Sequence, residues 1–440
     1  MSGTYRVGAG TGFAGDRFEP ARILAERGDL DALVFECLAE RTIALAQQGL
    51  AAQGEVGYDK KFLERLDDVL PFVANTQVLT NAGAADPEGL AHGVTELLDA
   101  RSVSRVVAAV VGDDVMSVLP PDTVITGTDQ TISDYRDRVV SANAYIGASA
   151  AVEAIEQGAD IVVTGRMGDA ALFAAPILHH FGWRVDELAR MADATLIGHL
   201  LECAGQLTGG YFAEAAGDVP DLATIGFPFA DVSDDGSAVY GKPENTGGVI
   251  NRETVLEQLL YEIDDPHSYK TPDVTLDFGR VAIESVGEDR VRVSGAVAAA
   301  RPDKLKVSVG IRDGYLAVGS IGYAGHRALA RARLALEILR ERWETVHHRD
   351  PGALRLDLLG FNSLRPWYEP EGAPTEVRAR VALRTFDKAD ATLLNREVEA
   401  LYTNGPAGGG GVQTSAKRTT GIVSALIDRE LVHPEVRFVS

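Results

Sequence analysis

The stretch "ADIVVTGRMGDAALFAAPILHHF", residues 159–181, decides how the chain is to be read. It opens on a β-branched apolar run, passes through a short turn carrying Gly, Arg and Asp, and continues as an Ala- and Leu-rich helical pattern. That is one strand–turn–helix unit, and the first 200 residues repeat it. "YRVGAG" leads into "TGFAGDR", "LDALVFE" into "CLAERTIALAQQ", "TQVLTNAG" into "AADPEGLAHGVTELLDA", and "SRVVAAVVG" into "DDV". Strands alternating with helices at this spacing predict βαβ units and a mainly parallel sheet with flanking helices. The unbroken apolar run of "RVVAAVVG" suits a strand buried on both faces.

After about residue 270 the pattern changes. "TLDFGRVAIESV", "DRVRVSGAV", "KLKVSVGI", "YLAVGSIGY", "LRLDLLGF" and "EVRARVALRT" alternate apolar and polar residues, as in a sheet with one solvated face. Two helical segments interrupt them, "HRALARARLALEILRERWE" and "DATLLNREVEALY". A boundary is placed at "PHSYKTPDV", where two prolines fall within seven residues. The expected fold class is α/β: an α/β domain over residues 1–270 carrying a ligand crevice, and a smaller α+β domain over 271–440 with a glycine-rich loop.

Composition narrows the function. The chain has 440 residues, 45% hydrophobic and 24% charged, with a formal net charge of -22. An acidic surface repels nucleic acid and anionic membranes, so neither is an expected partner. Two cysteines cannot build a disulfide framework or a cysteine-rich metal or iron–sulfur centre. No apolar window reaches the roughly 20 residues a membrane span needs. The N-terminus lacks the pattern of a secretory signal, and a cytoplasmic location is expected.

In open parallel sheets and in barrels alike, ligands gather beyond the carboxyl ends of the strands. Here those ends carry Asp16 and Arg17, Glu36 and Glu40, Asn81, Asp113 and Asp114, then Arg166 and Asp169. Taken singly, each is an ordinary turn or cap residue. Taken together, they point to a crevice. Arg166 can clamp a carboxylate or phosphate, or pair with Asp169 in a structural salt bridge. "GAGTGFAGDR", residues 8–17, is not a dinucleotide fingerprint, and its glycines allow a close backbone approach to an anion. Gly247 and Gly248 precede another helical pattern, and "NGPAGGGGV" places Gly408 and Gly409 in a loop able to form an anion nest.

"GHLLECAGQLTGG", residues 198–210, supplies the candidate chemistry. On a helix His199, Glu202, Cys203 and Gln206 fall at i, i+3, i+4 and i+7 and share a face. Histidine and glutamate suit acid–base work near neutral pH, and a cysteine beside histidine can act as a nucleophile. The bland alternatives are a surface Glu–His contact and a cysteine serving as a small hydrophobe. His199 with Glu202 or Cys203 lacks a third metal ligand, so no metal site is expected.

Together "GAGTGFAGDR", "FECLAERTIALAQ", "TNAGAADP", "NAYIGA", "GADIVVTGR", "GHLLECAGQLTGG", "NTGGVI", "EQLLYEIDDPHSY", "TPDV" and "NGPAGGGGV" resemble the acyclic terpene utilisation (AtuA-like) family, from residue 8 to about 412. The matching positions include Asp16, Arg17, Glu36, Asn81, Arg166, Asp169, His199, Glu202, Cys203 and Gln206. The resemblance implies a role in catabolism of acyclic terpenes or related branched acids, in the company of acyl-CoA carboxylases and hydratases.

The expectation is an enzyme of proton-transfer type, a hydratase or lyase, acting on a small acyl or acyl-CoA substrate. His199, Glu202, Cys203 and Asp169 are its candidate catalytic residues. Asp16, Arg17, Glu36, Asn81, Asp113, Arg166, Gln206, Gly247, Gly248, Gly408 and Gly409 are its candidate binding residues. Coenzyme A enters only as part of the substrate, and a homo-oligomer is expected. The alternative is a non-catalytic subunit that binds acyl-CoA or a small acid within a larger assembly.

Overall fold

The computed structural model describes residues 3–38, 42–44, 46–47, 56–135, 137–212, 219–367, 372 and 374–440. The chain is α/β, and it divides into two compact units: residues 1–310 with 422–440, and residues 311–421. Residue 270, where the sequence suggested a boundary, falls inside the first unit.

The first unit is built on β1 (Tyr5–Thr11), β2 (Ala32–Phe35), β3 (Gln77–Thr80), β4 (Val107–Val111) and β6 (Ile161–Thr164). They pair in parallel in the order β1-β2-β3-β6-β4. Every residue of β2 and β6 is buried, as a strand covered on both faces must be. The sequence placed all five of these strands. It missed the antiparallel flanks: β7 (Phe229–Val232) and β8 (Ala238–Gly241) extend the sheet beyond β1, and β18 (Glu435–Val439) pairs with β4. With β11 (Ala282–Gly287) and β12 (Arg290–Ser294) the sheet reaches 10 strands.

The helices follow from the crossovers. From β1 to β4 the strands advance in one direction, with α1 (Glu19–Arg27), α2 (Lys61–Val69) and α3 (Pro87–Arg101) between them. The step from β4 to β6 turns back, and a right-handed crossover then requires α4 (Ser149–Glu156) to cover the opposite face. There α4 packs against α5 (Asp169–Phe181), which packs against α6 (Leu188–Leu201). Gly198 makes the last contact possible, since a Cβ there would lie 2.3 Å from the Ala170 carbonyl oxygen.

The helix expected over residues 37–48 lies partly outside the described residues, as does Glu40; within it 42–44 and 46–47 are helical. Among the described residues no α-helix lies between β4 and β5 (Val139–Ala144), and the long connection carries one 3-10 turn at Ile132–Tyr135. A small sheet of β9 (Tyr269–Lys270), β10 (Thr275–Asp277) and β13 (Val297–Ala298) completes this unit.

The second unit is an antiparallel sheet carrying two helices, α8 (Ala328–Thr345) and α9 (Lys388–Asn404). Its strands are ordered β15 (Leu354–Leu359), β16 (Glu376–Thr385), β14 (Lys304–Ala324) and β17 (Gly409–Asp428), and of the last two, residues 311–324 and 409–421 belong to this unit. "KLKVSVGI" and "YLAVGSIGY", read as two strands, are one 21-residue strand, β14. The glycine-rich loop is shorter than expected, because Gly409 already begins β17 and packs on Ile321 and Tyr323. Among the described residues no helix is long and apolar enough to cross a membrane.

Candidate functional site

The first unit encloses a cavity of about 1120 Å³. Arg166, Asp169, His199 and Glu202 all line it, so four sequence-selected residues from two separate motifs meet on one wall.

The "GHLLECAGQLTGG" helix is shorter than its spacing suggests. Helix α6 ends at Leu201, Glu202 is its C-cap, and Ala204 adopts φ 42°. The four-residue stripe is therefore broken after its second member, and Cys203 and Gln206 do not line the cavity. The turn packs closely against the loop after β1. A Cβ on Gly12 would come within 2.4 Å of the Cys203 carbonyl carbon. The glycine loop after β1 thus serves a close approach to this turn.

His199 is 1% exposed, and its ring stacks on Phe278 at a centroid distance of 5.6 Å. Its Nε2 lies 3.1 Å from the Leu259 carbonyl oxygen at the end of α7 (Arg252–Leu260). A carbonyl can only accept, so Nε2 carries a proton and donates it. Nδ1 lies 3.0 Å from Glu202 Oε1, and these two atoms share the remaining proton. Helix α7 is held for this task by an Asn251–Thr254 capping box, and Gln258 Nε2 donates to the His199 carbonyl at 3.1 Å.

Burial raises the Glu202 pKa above the ordinary carboxylate value, against the lowering influence of His199. Burial works against charge on His199 as well. Even so the facing Glu202 carboxylate and the Leu259 carbonyl leave its pKa raised. Glu202 Oε2 is buried, and among the described residues nothing hydrogen-bonds it. The pair is therefore a carboxyl held at one oxygen by an imidazole that is locked on its far side.

Arg166, 1% exposed, stands at the turn after β6. Its Nη2 pairs with Asp169 Oδ1 at 2.5 Å, its Nη1 donates to the Leu38 carbonyl, and its guanidinium lies 4.0 Å from the Tyr145 ring centroid. The salt bridge, one of the two roles open from the sequence, is formed. Burial disfavours the Arg166 charge, and Asp169, Tyr145 and Glu36 outweigh it, so the cation is firmly held.

The other candidates are placed away from the cavity wall. Glu36 is buried behind it, its Oε1 accepting from the Leu38 N–H at 2.8 Å and from Asn81 Nδ2 at 2.9 Å. Burial, then the Asp169 charge, pushes its pKa up to about 8. Asp113 accepts from Asn143 Nδ2 and the Arg166 N–H, both at 2.9 Å, and so braces the Arg166 turn. Asp16 accepts the Gly12 and Phe13 N–H groups of its own loop. Arg17 ties that loop to the Leu222 and Ala223 carbonyls.

The Gly247 and Gly248 N–H groups donate to Thr224 and Pro220 carbonyls, which leaves neither for an anion. Gly408, at φ 76°, and Gly409 belong to the second unit. Burial drives the Cys203 thiol upward and the Glu202 charge adds to it, so a thiolate is disfavoured there. Among the described residues no group of three or more His, Cys, Asp and Glu could hold a metal ion.

The sequence reading passed over Tyr145, Tyr269 and Asp273, and the cations Lys270, Arg301, Lys304 and Lys306, all of which line the cavity. The first three sit inside "NAYIGA", "EQLLYEIDDPHSY" and "TPDV", stretches already prominent in the sequence. The four cations are exposed, with Glu262 and Asp303 among them, and Lys304 pairs with Asp428 at 3.1 Å. Pairing of the Tyr145 N–H with the Lys306 carbonyl at 2.8 Å brings the first of these segments beside the last.

Compared with known proteins, the chain matches the family model described as acyclic terpene utilisation family protein AtuA over residues 5–438. No curated protein and no solved structure matches it.

Proposed function

We propose a function on one premise: the chain belongs to the acyclic terpene utilisation family, whose model spans it almost end to end. The protein is an enzyme that transfers a proton at the carbon next to an acyl carbonyl, in the manner of a hydratase or lyase. Its substrate is a branched acyl group carried on coenzyme A.

One observation carries this reading. Glu202 is a carboxyl of raised pKa on the wall of a large cavity, gripped at one oxygen by a histidine that cannot turn away. A carboxyl shifted toward neutrality is matched to both taking and returning a proton near pH 7. Glu202 is the catalytic acid–base. His199, with both nitrogens engaged inside the protein, is a positioning residue. Asp169, held by Arg166, sets the local charge.

In the dehydrating direction Glu202 removes the proton from the carbon next to the carbonyl. The C–H electron pair forms the new double bond, and the same proton leaves with the departing hydroxyl as water. Addition of water reverses each step, with no change of oxidation state. Branched apolar chains suit walls supplied by Leu38, Ile263, Leu305, Ile422 and Leu426, and the exposed cations at Lys270, Arg301, Lys304 and Lys306 suit the phosphates of a carrier.

The test is exchange of the α-hydrogens of isovaleryl-CoA in deuterated water, followed by mass spectrometry. Wild type is expected to exchange them, and Glu202→Gln to slow exchange about 10³-fold while binding the thioester equally well. Binding without exchange in wild type would leave a binding subunit and sink the enzyme.

A further inference from the structure

A second polar group on the same wall is unused by any of these interactions. Tyr269 belongs to β9, where register with Leu276 of β10 fixes its backbone. Its ring lies 5.1 Å from the His199 ring and 5.6 Å from Phe278, so the imidazole that holds Glu202 also holds this phenol. The side chain is half-buried and lines the cavity, and among the described residues nothing hydrogen-bonds its hydroxyl. A phenol on the cavity wall is placed to hydrogen-bond a ligand oxygen.

The surroundings decide which way that bond runs. Glu202, Asp169 and Glu262 all bear on the phenol, and burial with these carboxylates holds its pKa well above the ordinary tyrosine value. The group stays protonated over any working pH and acts as a donor. Arg166 spends Nη1 on the Leu38 carbonyl and Nη2 on Asp169, and its Nε has no partner among the described residues. An acyl oxygen that gains negative charge among three carboxylates requires one fixed donor.

We propose, resting on the reading of the cavity as an acyl-CoA site, that Tyr269 is a further catalytic residue: its hydroxyl donates a hydrogen bond to the substrate's carbonyl oxygen while Glu202 moves the neighbouring proton. No bond to Tyr269 is made or broken. Its contribution grows as the carbonyl oxygen takes on enolate charge, and the shared packing on His199 keeps donor and base in fixed relation.

Binding alone tests this, without turnover. Calorimetry on the full chain would compare isovaleryl-CoA with its thioether counterpart, S-(3-methylbutyl)-CoA, in which a methylene replaces the carbonyl. Wild type is expected to prefer the thioester by ~10-fold, and Tyr269→Phe to erase that preference while leaving thioether affinity unchanged. A preference retained in Tyr269→Phe, or absent from wild type although both ligands bind, overturns the proposal and spares the acyl-CoA reading. Binding of neither ligand to wild type overturns that reading and this proposal with it. Should Tyr269→Phe unfold, Tyr269→Met gives the same comparison.

Discussion

Glu36 and Glu202 are both buried carboxyls of the first unit whose pKa values burial raises, and the chain surrounds them differently. Glu36 has two donors on Oε1, the Leu38 N–H and Asn81 Nδ2, and does not line the cavity. Glu202 lines it, holds His199 through one oxygen, and leaves the other without a partner among the described residues. A raised pKa therefore does not by itself mark a catalytic acid. What separates the two is hydrogen-bond satisfaction and access to space.

Arg166 joins both regions, since Glu36 and Asp169 both stabilise its charge. Removing it damages both at once, which makes it the severest way to break the comparison. In Arg166→Leu the Asp169 and Glu36 carboxyls lose their shared cation and the Leu38 carbonyl its donor. Asp169 is 36% exposed, so losing its partner costs less than the about 3–5 kcal/mol of a fully buried pair. Thermal unfolding should show a drop of several degrees, with isovaleryl-CoA exchange slowed at least about 100-fold. Arg166→Lys should recover only part of either, because an ammonium cannot serve the carbonyl, Asp169 and the Tyr145 face together. Full activity in Arg166→Leu would detach this cation from the site.

His199 affects only the Glu202 side. His199 lowers the Glu202 pKa from what burial alone would impose. In His199→Phe that lowering is lost, so the carboxyl ionises at still higher pH. If Glu202 is the base, the acid limb of the pH–rate profile must move upward, with the rate at pH 7 falling about 10-fold. His199→Asn, which can still donate toward Oε1, should bring the limb part of the way back. An unmoved limb in both variants would mean that another group sets it.

The parallel core was legible because its strands announce themselves: "IVVT" and "VAAVV" are β-branched or apolar throughout, and polar residues cluster where each one ends. The antiparallel flanks were not, since β7 and β8 are four residues each and carry Asp231 or end at Gly241. The same limit applies to the site. Arg166, Asp169, His199 and Glu202 could be picked out by type and position. Helical spacing, however, carried the stripe on to Cys203 and Gln206, whereas Ala204 adopts a positive φ and the stripe ends at Glu202, in a turn packed against Gly12. Nothing in the spacing of residues 8–17 foretells a contact with residue 203. Tyr269 could not be singled out either, because its importance depends on three-dimensional neighbours from α6 and β10 and not on its own sequence context.

The smallest effect sharpens the comparison from the structural side. In the fold Glu36 titrates at about 8, against an ordinary glutamate value of 4.5. The folded state therefore binds the proton more tightly than the unfolded chain does. The resulting contribution to stability is complete below the unfolded value and is lost as pH rises through about 8. Glu36→Gln keeps an oxygen for the Leu38 N–H and Asn81 and removes the titration. Its melting temperature should equal that of wild type near pH 4.5 and exceed it by several degrees at pH 8.5, corresponding to a few kcal/mol. The exchange rate, in contrast to that of Glu202→Gln, should stay within about threefold of wild type at pH 7, because Glu36 has no face on the cavity. Parallel melting curves across this pH range would place Glu36 among ordinary ionised carboxylates. A collapse of exchange would make Glu36 a second member of the proton-transfer machinery and erase the distinction between the two glutamates.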